Sequence, residues 1–360
     1  MSERTNNVLT KIKLGTTIDG SHIYNNPSQG SGDMIGICGE HGTGKSSLIK
    51  SLTLEYSRAG IPVLVIDPKG SFNASRLVSP SKLDTEFKDT INLVNVTSDG
   101  VPCGFLYGYT NNSSVSKEYY SIFIEHSLGV FNCSKKCSNA IIPLLDTEEV
   151  NKRMRDKGFI AWKETIMSST SSLSEEVTNE TLKCMAPLFS DSFLLPEQPT
   201  FTRGSITLYD LSGAGSTNVW KLAEMILLDI WLNAQQDNYH DTGLIVAIDE
   251  VHNAYLKPQG AISSIIDEGR KYGIGLVLAT QDFRRPKLFL DVFNNCDLKF
   301  YLRQSLPNAK HLAKQLTPKD ITNMTSRFSS LPIGSYYIEG CKELDGMNLT
   351  EGLLKAHLEI

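Results

Sequence analysis

Eight consecutive residues, Gly39-Glu40-His41-Gly42-Thr43-Gly44-Lys45-Ser46, follow the spacing G-x-x-x-x-G-K-S. The pattern suits one task, gripping a chain of phosphates. Glycines at 39, 42 and 44 let the backbone turn tightly, so that several N–H groups, Thr43's among them, face one anion. Lys45 would set a point charge on the β- and γ-phosphates, and the Ser46 hydroxyl would ligate Mg²⁺. From Ser47 onward the chain opens a helix, whose N-terminal dipole favours the same anion. Gly39, Gly42, Thr43, Gly44, Lys45, Ser46 and Ser47 are therefore expected to hold ATP, with Ser46 also on the metal.

A phosphate loop needs acidic partners. Asp249-Glu250 follows the apolar run Leu244–Ile248. Asp249 would hold the Mg²⁺ shell through water, and Glu250 would orient and polarise the attacking water. Phosphoryl transfer asks little covalent help of a protein, so positioning and charge neutralisation supply most of the acceleration. Gln281 ends the next apolar run, where an amide could sense the γ-phosphate or hold the water. For Asp67 and Lys69, at the end of another run, a structural turn and a role at the site both stand. Arg270 is a candidate to reach a neighbouring subunit's γ-phosphate, an arrangement worth about 10³–10⁵ in rate where it exists. Arg303 is a second candidate, and for each a surface ion pair is the plain alternative. Arg284, Arg285 and Lys287 would face either a phosphodiester backbone or solvent.

These residues must be set by a sheet. Met34–Cys38 reads as a short buried strand before the loop, and 47–52 opens a helix. Residues 61–67 are a continuous apolar run typical of parallel strands covered on both faces, and 205–211, Leu244–Ile248 and Ile274–Thr280 read as strands as well. Ile91–Val96, Leu298–Arg303 and Tyr336–Ile338 are further strands. Val219, Leu222, Ala223, Ile226, Leu227 and Ile230 recur at helical spacing, and helices are expected near 259–271, 307–316 and 318–327. Alternating strands and helices predict an α/β fold with a mainly parallel, doubly wound sheet. Residues 1–33 read as an N-terminal hairpin extension, 34–100 and 204–345 as the core, 101–203 as a largely helical insertion, and 346–360 as a tail. Within the insertion, helical spacing covers 117–129, 147–167 and 175–190, and the run Ser168–Ser174 reads as a flexible joint.

With 360 residues, 40% of them apolar, the chain can bury a large core. A net charge of −5 excludes a polycation that coats nucleic acid, so a basic surface would be local, as inside a ring. Seven cysteines without framework spacing fit a reducing cytosol. Cys133 and Cys137, with His126 upstream, offer at most half a metal site. Trp162, Trp220 and Trp231 read as core or interface residues. There is no signal peptide and no apolar run of about 18 residues, so a cytoplasmic protein without a membrane segment of its own is expected.

Taken in order, these segments resemble the HerA/FtsK superfamily of motor ATPases, above all HerA-type DNA translocases and the ATPase domains of type IV secretion and conjugation. The resemblance rests on the hairpin 14–24, the loop 39–46, Val65-Ile66-Asp67-Pro68-Lys69-Gly70, 206–212 and 248–253. Its most specific block is Glu268-Gly269-Arg270-Lys271-Tyr272-Gly273-Ile274-Gly275-Leu276-Val277-Leu278-Ala279-Thr280-Gln281. It covers about 15–100 and 204–340. The resemblance implies a RecA-like P-loop fold, a homohexameric ring, Mg²⁺-dependent ATP hydrolysis and DNA threaded through a central pore. It implies Glu250 as catalytic base, Gln281 as γ-phosphate sensor and an arginine finger in trans. Partner nucleases or secretion and conjugation proteins would follow. A channel ATPase moving protein, or a slow nucleotide switch, are the competing functions.

Overall fold

The computed structural model describes residues 11–25, 32–73, 80–104, 107, 117–169, 171–189, 194–195, 197, 199–216, 218–236, 239, 243–254, 260–281, 287–340, 342–344, 346–349 and 352–358. Among these, the strands are β1 (Ile12–Thr16), β2 (His22–Asn25), β3 (Met34–Cys38), β4 (Val63–Asp67), β5 (Ile91–Asn95), β6 (Val101–Pro102), β7 (Leu194–Leu195), β8 (Ile206–Asp210), β9 (Leu244–Ile248), β10 (Ile274–Thr280), β11 (Leu298–Tyr301), β12 (Ser335–Gly340), β13 (Lys342–Leu344), β14 (Met347–Leu349) and β15 (Leu354–His357). All but β6 and β7, which pair with each other, join one sheet ordered β14-β13-β2-β1-β15-β12-β11-β3-β10-β9-β4-β8-β5.

From β11 to β5 the neighbours are parallel. β3, β4, β8, β9 and β10 are buried at every position, which is why they are continuous apolar runs rather than alternating ones. β5 closes the edge with a largely exposed pattern. Beyond β11 the sheet turns antiparallel. The N-terminal hairpin and the C-terminal residues build this wing together: β12 pairs with β15, and Thr16 of β1 faces His357 of β15. Residues set apart in sequence as extension and tail thus form one sheet with the core. The Tyr336 hydroxyl donates to Leu14 O at 2.7 Å, over Gly15, where a Cβ would collide with the tyrosine ring.

Successive residues of each strand feed opposite cores. Ile35, Ile37, Val63 and Val65 pack with Leu48, Ile49, Leu52 and Tyr56 of helix Lys45–Arg58. Met34, Leu64, Ile66 and Ile248 pack on the other face with helices Val219–Ala234 and Ala261–Glu268.

The insertion extends this second core. Its helices are Lys117–Val130, Lys135–Leu145, Glu148–Lys157, Ile160–Ser168 and Glu175–Cys184. The predicted helix 147–167 breaks at Gly158, whose φ of 52° only glycine adopts freely. The helix holding Pro143 was not anticipated, because proline removes an interior hydrogen bond. Burial of Cys137, Ile141 and Leu145 and a Ser134 cap offset that loss. Of the run expected to be a flexible joint, Ser168 ends helix Ile160–Ser168, and the Ser172 and Leu173 N–H groups both donate to Ser169 O at 2.9 Å. Trp162 is fully buried, donates to the Tyr120 hydroxyl at 2.9 Å and meets Phe159 edge to face. Trp231 is buried and Trp220 packs against the same core. Glu224 clips insertion to core: its Oε1 accepts from Ala261 N at 2.8 Å and lies 3.1 Å from His126 Nε2.

Candidate active site

The phosphate loop leaves the carboxyl end of β3. Gly42 and Gly44 hold φ of 73° and 104°, where a side chain is strained. At Gly39 a Cβ would fall 2.7 Å from Leu302 Cβ and 2.9 Å from Thr43 Oγ1, so only glycine lets the loop close on the residue that follows β11. The loop is braced from three sides: Gly39 N donates to Thr280 O (3.2 Å), Glu40 N to Arg303 O (2.9 Å) and Gly334 N to Thr43 O (3.1 Å). Thr43 Oγ1 donates to Glu40 O at 2.8 Å. Lys45 Nζ, almost fully buried, donates to Gly39 O and Glu40 O, each at 2.9 Å. Helix Lys45–Arg58, with Ser46 and Ser47 in its first turn, has no side-chain cap. Its first N–H groups are thus left to meet an anion.

The acids arrive from β9, two strands away across β10. Ser46 Oγ donates to Asp249 Oδ2 at 2.7 Å. Burial pushes the Asp249 carboxyl up, against the hydrogen bond from Ser46. A cation beside it would relieve that cost, and a hydroxyl plus a carboxylate are the hard oxygens Mg²⁺ prefers. No cluster of three acidic, His or Cys ligands occurs among the described residues.

Glu250 follows in a left-handed conformation, φ 59°, rare for a side-chain-bearing residue and costing about 1–3 kcal/mol. Glu250 as a whole residue is 8% exposed. Gln281 Nε2 donates to Glu250 Oε1 at 2.5 Å. Lys69 Nζ and His252 Nε2 each stand 3.4 Å from Oε2. Burial raises the Glu250 carboxyl, but the Gln281 bond, then Lys69, His252 and Lys45, outweigh it and hold it below the usual value. Burial pulls the Lys45 ammonium down, with Asp249 and Glu250 opposing. The constellation expected from sequence (Lys45, Ser46, Asp249, Glu250 and Gln281) converges on one sheet edge.

Asp67 and Lys69 divide. Asp67 is fully buried and staples its turn, accepting from Lys69 N (3.2 Å), Ser71 N (3.1 Å) and Phe72 N (2.8 Å). Lys69 projects toward Glu250. Sequence reasoning left Lys69 undecided and passed over His252; the signal for both was their place at the strand exits.

Arg270 lies elsewhere. It precedes β10, at the amino edge of the sheet, opposite the phosphate loop of its own chain, and pairs with Asp297. Asp297 Oδ2 in turn accepts from Met34 N at 3.1 Å, where β3 begins. Arg303 is beside its own loop through its carbonyl. Arg284 and Arg285 lie outside the described residues, and Lys287 opens helix Lys287–Asn294. His126 faces Glu224 rather than Cys133 and Cys137. Burial, then Cys184, pushes the Cys133 thiol up to about 12.

No family model matches the chain, and no curated protein matches it in sequence. Solved structures do match in three dimensions. VirB4 of Thermoanaerobacter pseudethanolicus superposes with a TM-score of 0.66 at 15% identity, over 98% of this chain and 96% of that one. The plasmid coupling protein TrwB in complex with ADP and Mg²⁺ gives 0.63 at 13% identity, over 100% and 93%. TrwB with the ATP analogue ADPNP gives 0.62 at 13%, over 100% and 92%. These likenesses show the fold, the RecA-like P-loop architecture that the motifs led us to expect. Among the described residues no helix is long and apolar enough to cross a membrane.

Proposed function

We propose that this chain is a Mg²⁺-dependent ATPase, the engine of a ring that translocates DNA. The observation that carries the reading is the convergence of Lys45, the Ser46–Asp249 pair and the Glu250–Gln281 pair at the carboxyl edge of β3, β9 and β10. Lys45 and the N–H groups of 39–47 bind and orient the triphosphate. Ser46 and Asp249 would hold Mg²⁺, which when bound neutralises phosphate charge. Glu250 holds the attacking water in line, and Gln281 sets the Glu250 carboxylate and senses the γ-phosphate.

Arg270 acts in trans in this reading. Its place at the edge opposite its own loop supports delivery to the next protomer of a head-to-tail ring, a homohexamer. DNA as cargo rests on the resemblance of the motif series to DNA translocases. The resemblance of the same motif series to the ATPase domains of type IV secretion and conjugation supports a second reading, an ATPase that energises a secretion or conjugation channel and moves protein. Turnover measured with and without duplex and single-stranded DNA, alongside the mass in ATP, tests both. Stimulation by DNA together with a hexamer mass supports the translocase. A DNA-indifferent hexamer favours the protein-moving channel, and a monomer without turnover defeats the motor.

A further inference from the structure

The two oxygens of Glu250 have different surroundings. Oε1 is taken by the Gln281 amide at 2.5 Å. Oε2 is buried, and among the described residues it accepts no hydrogen bond. Lys69 Nζ and His252 Nε2 flank it at 3.4 Å without donating to it. Oε2 therefore has an acceptor position that no described group fills.

Lys69 is delivered to this place by a built turn. Asp67 accepts three backbone N–H groups between Lys69 and Phe72, and its own carbonyl accepts from Leu211 N at 3.0 Å. Gly70, at φ 69°, supplies the sharp bend, and Phe72 is fully buried. A turn anchored this firmly fixes the Lys69 backbone at the exit of β4. Across from it, the carboxylate is held by a second strand end through Gln281. Glu250 is thus gripped between the exits of β10 and β4, its own strand β9 lying between them.

We propose that Lys69 is a positioning residue for hydrolysis, its ammonium fixing the Glu250 carboxylate from the β4 side so that Oε2 receives the attacking water. The inference rests on the ATPase reading and assigns that site a further member. In the step it serves, the water oxygen bonds to the γ-phosphorus as the bond from that phosphorus to the β,γ-bridging oxygen breaks. The bond's electron pair leaves with ADP, one water proton passes to Glu250 Oε2, and it later returns to solvent. Lys69 touches none of these atoms except through Glu250. An ordinary exposed ion pair between the same residues would contribute little to anything.

Steady-state hydrolysis and ADP affinity of the full chain, measured for wild type, Lys69→Met, Lys69→Arg and Glu250→Gln, test it. Lys69→Met is expected to lower kcat on the order of 10²-fold, the scale on which a small misplacement of a catalytic group acts. KM for ATP and ADP affinity should stay unchanged, and Lys69→Arg should recover most of the rate by keeping the cation. The side chain of Lys69 is 54% exposed, so its replacement leaves folding intact. Full-speed Lys69→Met beside a dead Glu250→Gln overturns the role of Lys69 and leaves the ATPase standing. So does a loss confined to KM, or a Lys69→Arg no better than Lys69→Met. A wild type without hydrolysis overturns the ATPase reading and this inference together.

Discussion

The Gln281 amide donates to Glu250 Oε1 at 2.5 Å across 31 residues of sequence. In the proposed mechanism this makes the sensor and the base one hydrogen-bonded unit, set where β10 and β9 end. Residues acting as a unit give strongly non-additive losses. Glu250→Gln should bind nucleotide normally and lose turnover by on the order of 10²-fold or more, the scale of general-base catalysis. Adding Gln281→Ala to it should cost almost nothing further. A double mutant whose loss equals the product of the single losses would break the unit apart.

Lys45 spans the loop it serves, donating to Gly39 O and Glu40 O. Lys45→Ala removes both the phosphate-facing charge and this brace. Nucleotide binding or turnover should be abolished in protein that still folds; hydrolysis at the wild-type rate in that variant contradicts the site.

Arg270 pairs with Asp297 in a half-exposed bridge, worth at most about 1 kcal/mol. Arg270→Ala should therefore leave stability and ATP affinity unchanged while lowering turnover. Mixed with Glu250→Gln subunits, it should regain part of the activity, since each variant keeps what the other lacks. Mixtures no better than either variant alone would rule against a finger in trans.

Lys50, buried between Phe72 and Phe87, donates to Asp84 at 2.6 Å, and Asp84 also closes the capping box with Ser81. Burial raises the Asp84 carboxyl, but Lys50 and Ser81 prevail and hold it below its ordinary 3.8. A carboxylate with a lowered folded value stabilises fully above the unfolded value and loses that contribution as pH falls through the folded one. Asp84→Asn should cost about 3 kcal/mol at pH 7, because it leaves a buried cation unpaired. The gap to wild type in urea unfolding should close below the ordinary carboxylate range. A gap constant from pH 7 to pH 2 would assign the cost to something other than the ion pair.

Trp162 fills the centre of the insertion and is 0% exposed. Trp162→Ala should destabilise by about 3–5 kcal/mol. Because its core is continuous with helix Val219–Ala234, hydrogen exchange should quicken there as well as in 117–184. Acceleration confined to the insertion would mean that the two unfold independently.

Much of this was legible in local pattern. Gly39–Ser46 fixes its own geometry, since glycines at 42 and 44 are the residues that tolerate those dihedrals. Leu244–Ile248 and Ile274–Thr280 are apolar at every position because both faces are covered. Helix Lys135–Leu145 was hidden by Pro143, whose local penalty tertiary burial overrides.

By itself the sequence determined the phosphate loop, the strands that carry it and the residue types at their ends, because each depends on neighbours within a turn or a strand length. The tertiary structure alone decided that β1 lies against β15, that Arg270 and the phosphate loop occupy opposite edges, and that Lys69, His252 and Gln281 surround Glu250. Those relations come from strand order and register. They are settled by hydrogen bonding and burial between segments far apart in the chain, which local periodicity does not encode.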